Sequence, residues 1–231
     1  MDENQINTFL AHILPKKKST PPNYFRGCFS SDEILNNKKL SPHFKRNETF
    51  GFIINTTKRN ENKFGHWLAI QIRVKNGSVK LVFFDSFAIS YKSYTQFFKN
   101  YVNHIRLGCF ENGFNYHFDS LDKPIQHPSS LACGAHVCYF MVNCINTSIY
   151  TLYNKFERNT KKKNDEIVMK FIRINWPSNY CNDFPNHKSK ASKKHFCPVK
   201  TYGDTSCFKK CFCCNNKNNT SSDDNDINIG G

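Results

Sequence analysis

The sequence predicts an α+β protein in which a mixed β-sheet packs on one central helix. Three observations predict it. Two β-rich runs flank an Asn-Gly pair at Asn76-Gly77. A largely apolar stretch of helical length follows the loop residues Pro128-Ser129-Ser130. Residues suited to chemistry (His66, Asp85, Gln126 and Cys133) fall in or beside these segments.

The first run, HWLAIQIRV, covers residues 66–74, and the second, VKLVFFDSF, covers residues 79–87. Asn-Gly between two such runs is a strong hairpin signal, because a type I′ turn needs positive φ at both central residues. A two-residue loop sets the register: Lys75 pairs with Ser78, so His66 faces Phe87 and Asp85 lies diagonal to His66. Paired residues and residues two apart share a face. That face then carries Leu68, Ile70, Ile72 and Val74 with Val79, Leu81 and Phe83. The other face is mixed, with Gln71, Arg73 and Lys80 beside Ala69, Val82 and Phe84. His66 and Asp85 are the polar pair on the purer face, at a diagonal separation of roughly 7–8 Å. Burying both costs free energy unless they satisfy each other. A structural His beside a strand-end Asp is the competing reading of the same pattern.

Residues 131–145, LACGAHVCYFMVNCI, are apolar on most sides, as expected of a buried helix. Cys133 falls in its first turn, where the helix dipole and unpaired amides favour an anion and lower a thiol pKa. Gly134 lets a substrate backbone approach closely. Gln126 can donate its side-chain amide to a developing oxyanion. A base, an acid that orients it, an oxyanion donor and a sulfur nucleophile are what thiol acyl transfer requires. Cys138 and Cys144 fall deeper in the helix and suit buried small hydrophobes. His136 is the competing base, but a His on the nucleophile's own helix is a poor match for a pattern in which the two come from separate segments.

The order His, acid, Gln, Cys resembles the adenovirus endopeptidase (adenain) family. The base sits in Gly65-His66-Trp67, and the segment from Gln126 to Cys133-Gly134 opens a helix. The resemblance runs over roughly residues 23–180 and includes Tyr24-Phe25-Arg26-Gly27. It implies the cysteine-protease fold shared with SUMO-type proteases, found also in virus-like Polinton (Maverick) elements and large DNA viruses. By this match His66 is the base, Asp85 the orienting acid, Gln126 the oxyanion donor and Cys133 the nucleophile. Two departures are visible. The adenovirus enzyme has Glu at the acid position. It also captures an activating peptide through a Cys upstream of the Gln, whereas Asn115-Tyr116-His117-Phe118 has none there and Cys109 is displaced. That activation mechanism is not expected here.

Composition fits this reading. The 231 residues suit one domain plus a tail. The expected division is an N-terminal segment over residues 1–22, a protease domain over 23–182 and a basic, Cys-rich, partly disordered tail over 183–231. No apolar run reaches the ~18 residues of a membrane span, and the polar start does not read as a signal peptide. An intracellular setting is expected, with the 11 Cys as thiols or ligands rather than disulfides.

The formal net charge of +15, from 33 Lys and Arg against 18 Asp and Glu, is spread through both parts of the chain, with basic clusters at residues 16–18, 161–163 and 187–195. It suits a polyanion partner, and the resemblance implies stimulation by non-specifically bound DNA. The tail holds Cys197, Cys207, Cys211, Cys213 and Cys214 near His187 and His195. This set could bind zinc, although it lacks paired CxxC knuckles. No cofactor is otherwise required.

The expected function is cleavage of viral capsid or core precursors after Gly-containing sites, in the virion or the host nucleus or cytoplasm. A protease acting on host ubiquitin-like modifiers is the enzyme alternative. A non-catalytic, basic DNA-binding virion protein is the alternative of another class.

Overall fold

A computed structural model describes residues 1–61 and 65–177. Five strands form one sheet in chain order: β1 (Phe25–Ser30), β2 (Glu48–Asn55), β3 (Trp67–Lys75), β4 (Ser78–Phe84) and β5 (Asn115–Ser120). The outer pairs β1–β2 and β4–β5 are parallel and the inner pairs antiparallel, so the sheet is mixed. The helices are α1 (Glu3–Ile13), α2 (Gln96–Glu111), α3 (Cys133–Asn143), α4 (Ile149–Glu157) and α5 (Lys161–Ile174). The chain is therefore α+β, with the sheet packed on the helix that begins at Cys133.

The hairpin register is the one its turn dictates. Lys75 pairs with Ser78, and the ladder runs to Ala69 opposite Phe84. Asn76 (φ 51°) and Gly77 (φ 72°) take the two left-handed positions. Gly27 has φ 113° at the irregularity between Phe25 and Cys28, where β1 bulges against β2. A glycine is needed there because side chains disfavour that conformation.

Both faces of the sheet are covered, and this corrects the expectation of one core face and one mixed face. Leu68, Ile70, Ile72, Val79, Leu81 and Phe83 pack under Phe98, Tyr101, Val102 and Ile105 of α2. Ala69, Val82 and Phe84 pack under α1, α3 and α5, with Phe84 stacked on Phe140 of α3 at 4.5 Å between ring centroids. Gln71 lies on this second face and is fully buried. It is accommodated because its Nε2 donates to the Tyr24 hydroxyl at 2.7 Å and the Cys144 carbonyl at 3.0 Å. A buried amide without such partners costs about 1–3 kcal/mol. The helix lies close: a Cβ on Gly51 of β2 would stand 2.6 Å from Cε of Met141.

Local sequence explains the helices. Asp2 caps α1 and forms a capping box with Gln5, and Ile6, Phe9, Leu10 and Ile13 then fall on one buried face at helical spacing. Residues 1–22 thus contribute a helix to the same core as α3. Ser148 caps α4 and Thr160 caps α5. Tyr24, which opens the Tyr24-Phe25-Arg26-Gly27 segment, is buried, and the Arg26 guanidinium lies over the Phe50 ring and pairs with Glu48 at 2.9 Å.

Strand β4 ends at Phe84, short of the expected residue 87. The physical reason is the Asp85 side chain, which accepts hydrogen bonds from the amides of Phe87 and Ile89. These bonds replace a further ladder pair and turn the chain, with Ala88 left-handed at φ 55°. Among the described residues no helix is long and apolar enough to cross a membrane. The tail over residues 183–231, including its cysteines, lies outside the described residues.

Candidate active site

His66 immediately precedes β3, and its backbone is fixed by two bonds to Thr56. The His66 amide donates to Thr56 Oγ1 at 2.8 Å, and the Thr56 amide donates to the His66 carbonyl at 2.9 Å. Gly65 is required before it, because a Cβ there would fall 1.6 Å from Asn55 Oδ1. The His66 ring lies against Phe87, with centroids 5.0 Å apart. This is the cross-strand neighbour that the hairpin register assigns.

Asp85 is 1% exposed and accepts four hydrogen bonds. His66 Nε2 lies 2.7 Å from Oδ1, the Phe87 and Ile89 amides donate at 2.9 and 3.0 Å, and the Tyr94 hydroxyl donates to Oδ2 at 2.6 Å. These partners hold the carboxylate in one orientation. The Asp-x-x-x amide turn is a signal that sequence could have offered. Tyr94 carried no such signal, because it arrives from the short turn before α2.

Cys133 is the first residue of α3 and is partly exposed, whereas the other described cysteines (Cys28, Cys109, Cys138 and Cys144) are buried. Its thiol has competing influences. Burial pushes its pKa up, but the hydrogen bond with His66, the Trp67 amide and the His66 charge outweigh this, and the pKa is lowered. Burial likewise opposes charge on His66, yet hydrogen bonds to Asp85 and Cys133 raise it to about 9. The two shifts run in the opposite directions that a thiol and an imidazole take when each favours the charged form of the other. With Nε2 committed to Asp85, Nδ1 is the ring nitrogen left for Cys133. Burial pushes Cys109 and Cys144 up to about 11 and Cys138 higher still.

Gln126 lies in the loop leading to α3 and is 1% exposed. Its Oε1 accepts from Ser86 Oγ at 2.5 Å, and its Nε2 donates to the Ser130 carbonyl at 2.8 Å. One amide proton is therefore spent on the loop, which leaves the second for a ligand. Ser86, adjacent to Asp85, also accepts the amides of Ile125 and Gln126 through its carbonyl. The structure thus joins His66 to Asp85 directly, sets Cys133 within electrostatic reach of His66, and ties Gln126 to Ser86, the neighbour of Asp85.

One expectation changes. The space beside Gly134 is not open to a substrate backbone: a Cβ there would meet Met1 Cβ at 2.9 Å and Trp67 Cδ1 at 3.5 Å, and the Trp67 indole donates to the Met1 carbonyl. His136 does not face the thiol. It is 1% exposed and pairs through Nε2 with Asp165 Oδ1 of α5 at 2.8 Å. Burial lowers its pKa despite the contact with Asp165. Among the described residues no group of three or more His, Cys, Asp or Glu side chains could hold a metal ion.

Fold and site together give an α+β chain with a His66–Asp85 pair and a partly exposed cysteine at the start of a buried helix. No known family profile matches the chain, and no curated protein matches it. Solved structures similar to it include the ASFV pS273R protease, at 14% identity and TM-score 0.48 over 73% of this chain and 66% of that one. This chain therefore spans just under two thirds of that protease. The SUMO protease Ulp1 is similar at 16% identity and TM-score 0.42, over 74% of this chain and 75% of that one. The central domain of the Legionella pneumophila protein Lpg1148 is similar at 11% identity and TM-score 0.42, over 76% and 98%.

Proposed function

We propose that this chain is a cysteine endopeptidase in which Cys133 is the nucleophile, His66 the acid–base, Asp85 the orienting acid and Gln126 an oxyanion donor. The observation that carries the reading is the coupled shift in the site: a lowered Cys133 beside a His66 raised to about 9, itself held by Asp85 at 2.7 Å. A purely structural His–Asp pair does not need a cysteine at a helix N-terminus as its third member.

The reaction follows from these groups. The Cys133 thiolate adds to the scissile carbonyl, and the displaced electron pair settles on oxygen. Gln126 and backbone amides at the start of α3 stabilise that charge. Collapse breaks the C–N bond as His66 gives its proton to the leaving amine. Water then attacks the thioester and passes a proton to His66, the S–C bond breaks and the carboxylate leaves. Asp85 keeps Nε2 protonated throughout, so Nδ1 handles each transfer.

Gly-containing sites are the proposed specificity, in keeping with the resemblance to proteases that favour Gly beside the scissile bond. Viral capsid or core precursors are the proposed substrates, acted on in the virion or the host nucleus or cytoplasm. DNA is the proposed non-specific partner. Lys161, Lys162 and Lys163 are exposed in the first turn of α5, the positive end of its dipole. Cations there cost roughly 0.3–1 kcal/mol each, a cost that a bound polyanion reverses. No cofactor beyond DNA is proposed for the chemistry.

The test is a peptide series carrying Gly-Gly or Gly-X-Gly before the scissile bond, assayed with the native chain and with Cys133→Ala. Cleavage by the first alone, slowed sharply by Ala at the Gly next to that bond, supports the reading. Full activity of Cys133→Ala ends it. Much faster cleavage of a SUMO or ubiquitin fusion than of a capsid precursor peptide assigns the same chemistry to modifier removal.

A further inference from the structure

Helix α5 carries two adjacent polar residues, Asn164 and Asp165, each 2% exposed. Burying an amide and a carboxylate side by side is costly unless each finds defined partners. Their partners converge on one short segment. Asn164 Nδ2 donates to the carbonyl of Ile125 at 3.0 Å. Asp165 Oδ2 accepts the amide of His127 at 3.3 Å, while its Oδ1 accepts from His136 Nε2 on α3 at 2.8 Å. The residue between Ile125 and His127 is Gln126.

We propose that Asn164 and Asp165 are positioning residues that clamp the peptides on either side of Gln126 and so set the oxyanion donor relative to Cys133. This rests on the reading of Cys133 and Gln126 given above. The geometry has two halves. From one side, the Ser86 carbonyl takes the amides of Ile125 and Gln126 at 2.9 and 3.1 Å, and the Ser86 hydroxyl takes the Gln126 side chain. From the other, α5 takes the flanking carbonyl and amide. Asp165 also grips His136, one turn along α3 from Cys133, so one carboxylate references the oxyanion loop to the helix that carries the nucleophile. Apolar residues at these two positions would leave the Ile125 carbonyl, the His127 amide and the His136 ring without these partners. The polar pair adds a fixed loop geometry, and a donor that is displaced by even an ångström loses much of its effect on the transition state.

The proposal separates steps that share the same thiolate. Alkylation of Cys133 by iodoacetamide forms no oxyanion and needs no Gln126. Peptide cleavage and capture of a peptide aldehyde both place negative charge on oxygen. In the full chain, Asp165→Ala should lower kcat for the Gly-Gly peptide on the order of 10–100-fold, less than outright loss of an oxyanion donor. KM should change little, aldehyde affinity should fall in parallel with kcat, and the alkylation rate should stay within about twofold. Asp165→Asn, which keeps an acceptor for the His127 amide, should retain most of the rate. Asn164→Leu, similar in volume but unable to hold the Ile125 carbonyl, should behave like a milder Asp165→Ala and serves in its place if that variant does not fold.

In a Gln126→Ala background, Asp165→Ala and Asn164→Leu should add less than about threefold, because the donor they position is gone. Full multiplication of the losses in that background, or an alkylation rate that falls with kcat, overturns the inference. Cys133→Ala run alongside keeps the two claims apart: if it still cleaves, the protease reading fails, whereas an inactive Cys133→Ala with multiplicative Asp165 losses removes the clamp alone.

Discussion

His66 Nε2 and Asp85 Oδ1 stand 2.7 Å apart although neither residue belongs to the strand that delivers it. His66 sits one position before β3, and Asp85 one position after β4. The hairpin aims both at the same end of the sheet, and the two chains depart from the ladder at the point where their side chains meet. A paired His and carboxylate are thereby placed at the start of α3 rather than buried within the sheet.

The coupled shifts predict two pH profiles that diverge. Cys133 is held below the ordinary thiol range, so its alkylation should persist at pH values where Cys28 and Cys138, pushed up by burial, are unreactive. Against the opposing effect of burial, hydrogen bonds to Asp85 and Cys133 raise the His66 pKa to about 9. Peptide cleavage should therefore fall as pH rises through about 9, because the leaving amine loses its acid, while alkylation does not fall. Asp85→Asn removes one of the causes that raise His66, so the falling limb should move to lower pH. Stopped assays with iodoacetamide and with a fluorogenic Gly-Gly peptide across pH 5–10 check this. Parallel profiles would show that His66 does not serve the thiol.

His66 and His136 should separate by what each variant loses. His66→Ala should lower kcat by ~10²–10⁴-fold with little change in melting temperature, the usual cost of losing a general base. His136→Ala strips a partner from the buried Asp165 and leaves an internal void, at a cost of about 1–3 kcal/mol in stability. Its folded fraction should keep far more kcat than His66→Ala does. Thermal melts and initial rates on both variants decide it, and a dead, stably folded His136→Ala would contradict the assignment.

Gly65 is a steric position. A Cβ there would lie 1.6 Å from Asn55 Oδ1, which also accepts from the amide and hydroxyl of Thr57. Gly65→Ala should force Asn55 off Thr57 and shift the His66 backbone. About 1–3 kcal/mol of destabilisation is expected, as for other overpacked sites, together with a kcat loss larger than the stability change explains. Denaturant titration and kinetics on the variant would measure both.

The lysines at the start of α5 link DNA affinity to helix stability with opposite signs. Changing Lys161, Lys162 and Lys163 to Ser should make the slope of log K against log salt less negative by up to about 0.9 per lost phosphate contact. The same change should raise thermal stability slightly, since it removes cations from the positive end of the helix. Fluorescence anisotropy over a salt series and a thermal melt give both signs. An unchanged slope would move the DNA surface elsewhere.

The hairpin was legible because its determinants are local. Asn76-Gly77 admits only a turn with two positive φ values, and every pairing from Lys75 opposite Ser78 to Ala69 opposite Phe84 follows from that turn. The placement of Cys133 at a helix start was legible too, from the loop residues before it and the apolar run after it. The capping box and the spacing of Ile6, Phe9, Leu10 and Ile13 in α1 are local signals too, although residues 1–22 are expected above only as an N-terminal segment.

What tertiary structure decided is how these pieces close on one another, because that depends on partners distant in the chain. The apparently mixed sheet face is core because Tyr24 and the Cys144 carbonyl take the side-chain N–H groups of Gln71, and because α1, α3 and α5 cover its apolar neighbours. Asp85 leaves the strand because amides and the Tyr94 hydroxyl compete for its carboxylate. Asp165, 29 residues beyond His136, removes that histidine from contention as a base. Periodicity and turn chemistry report what each segment does to its own backbone, whereas the choice of hydrogen-bond partner for a buried polar group is settled only when the whole chain has packed around it.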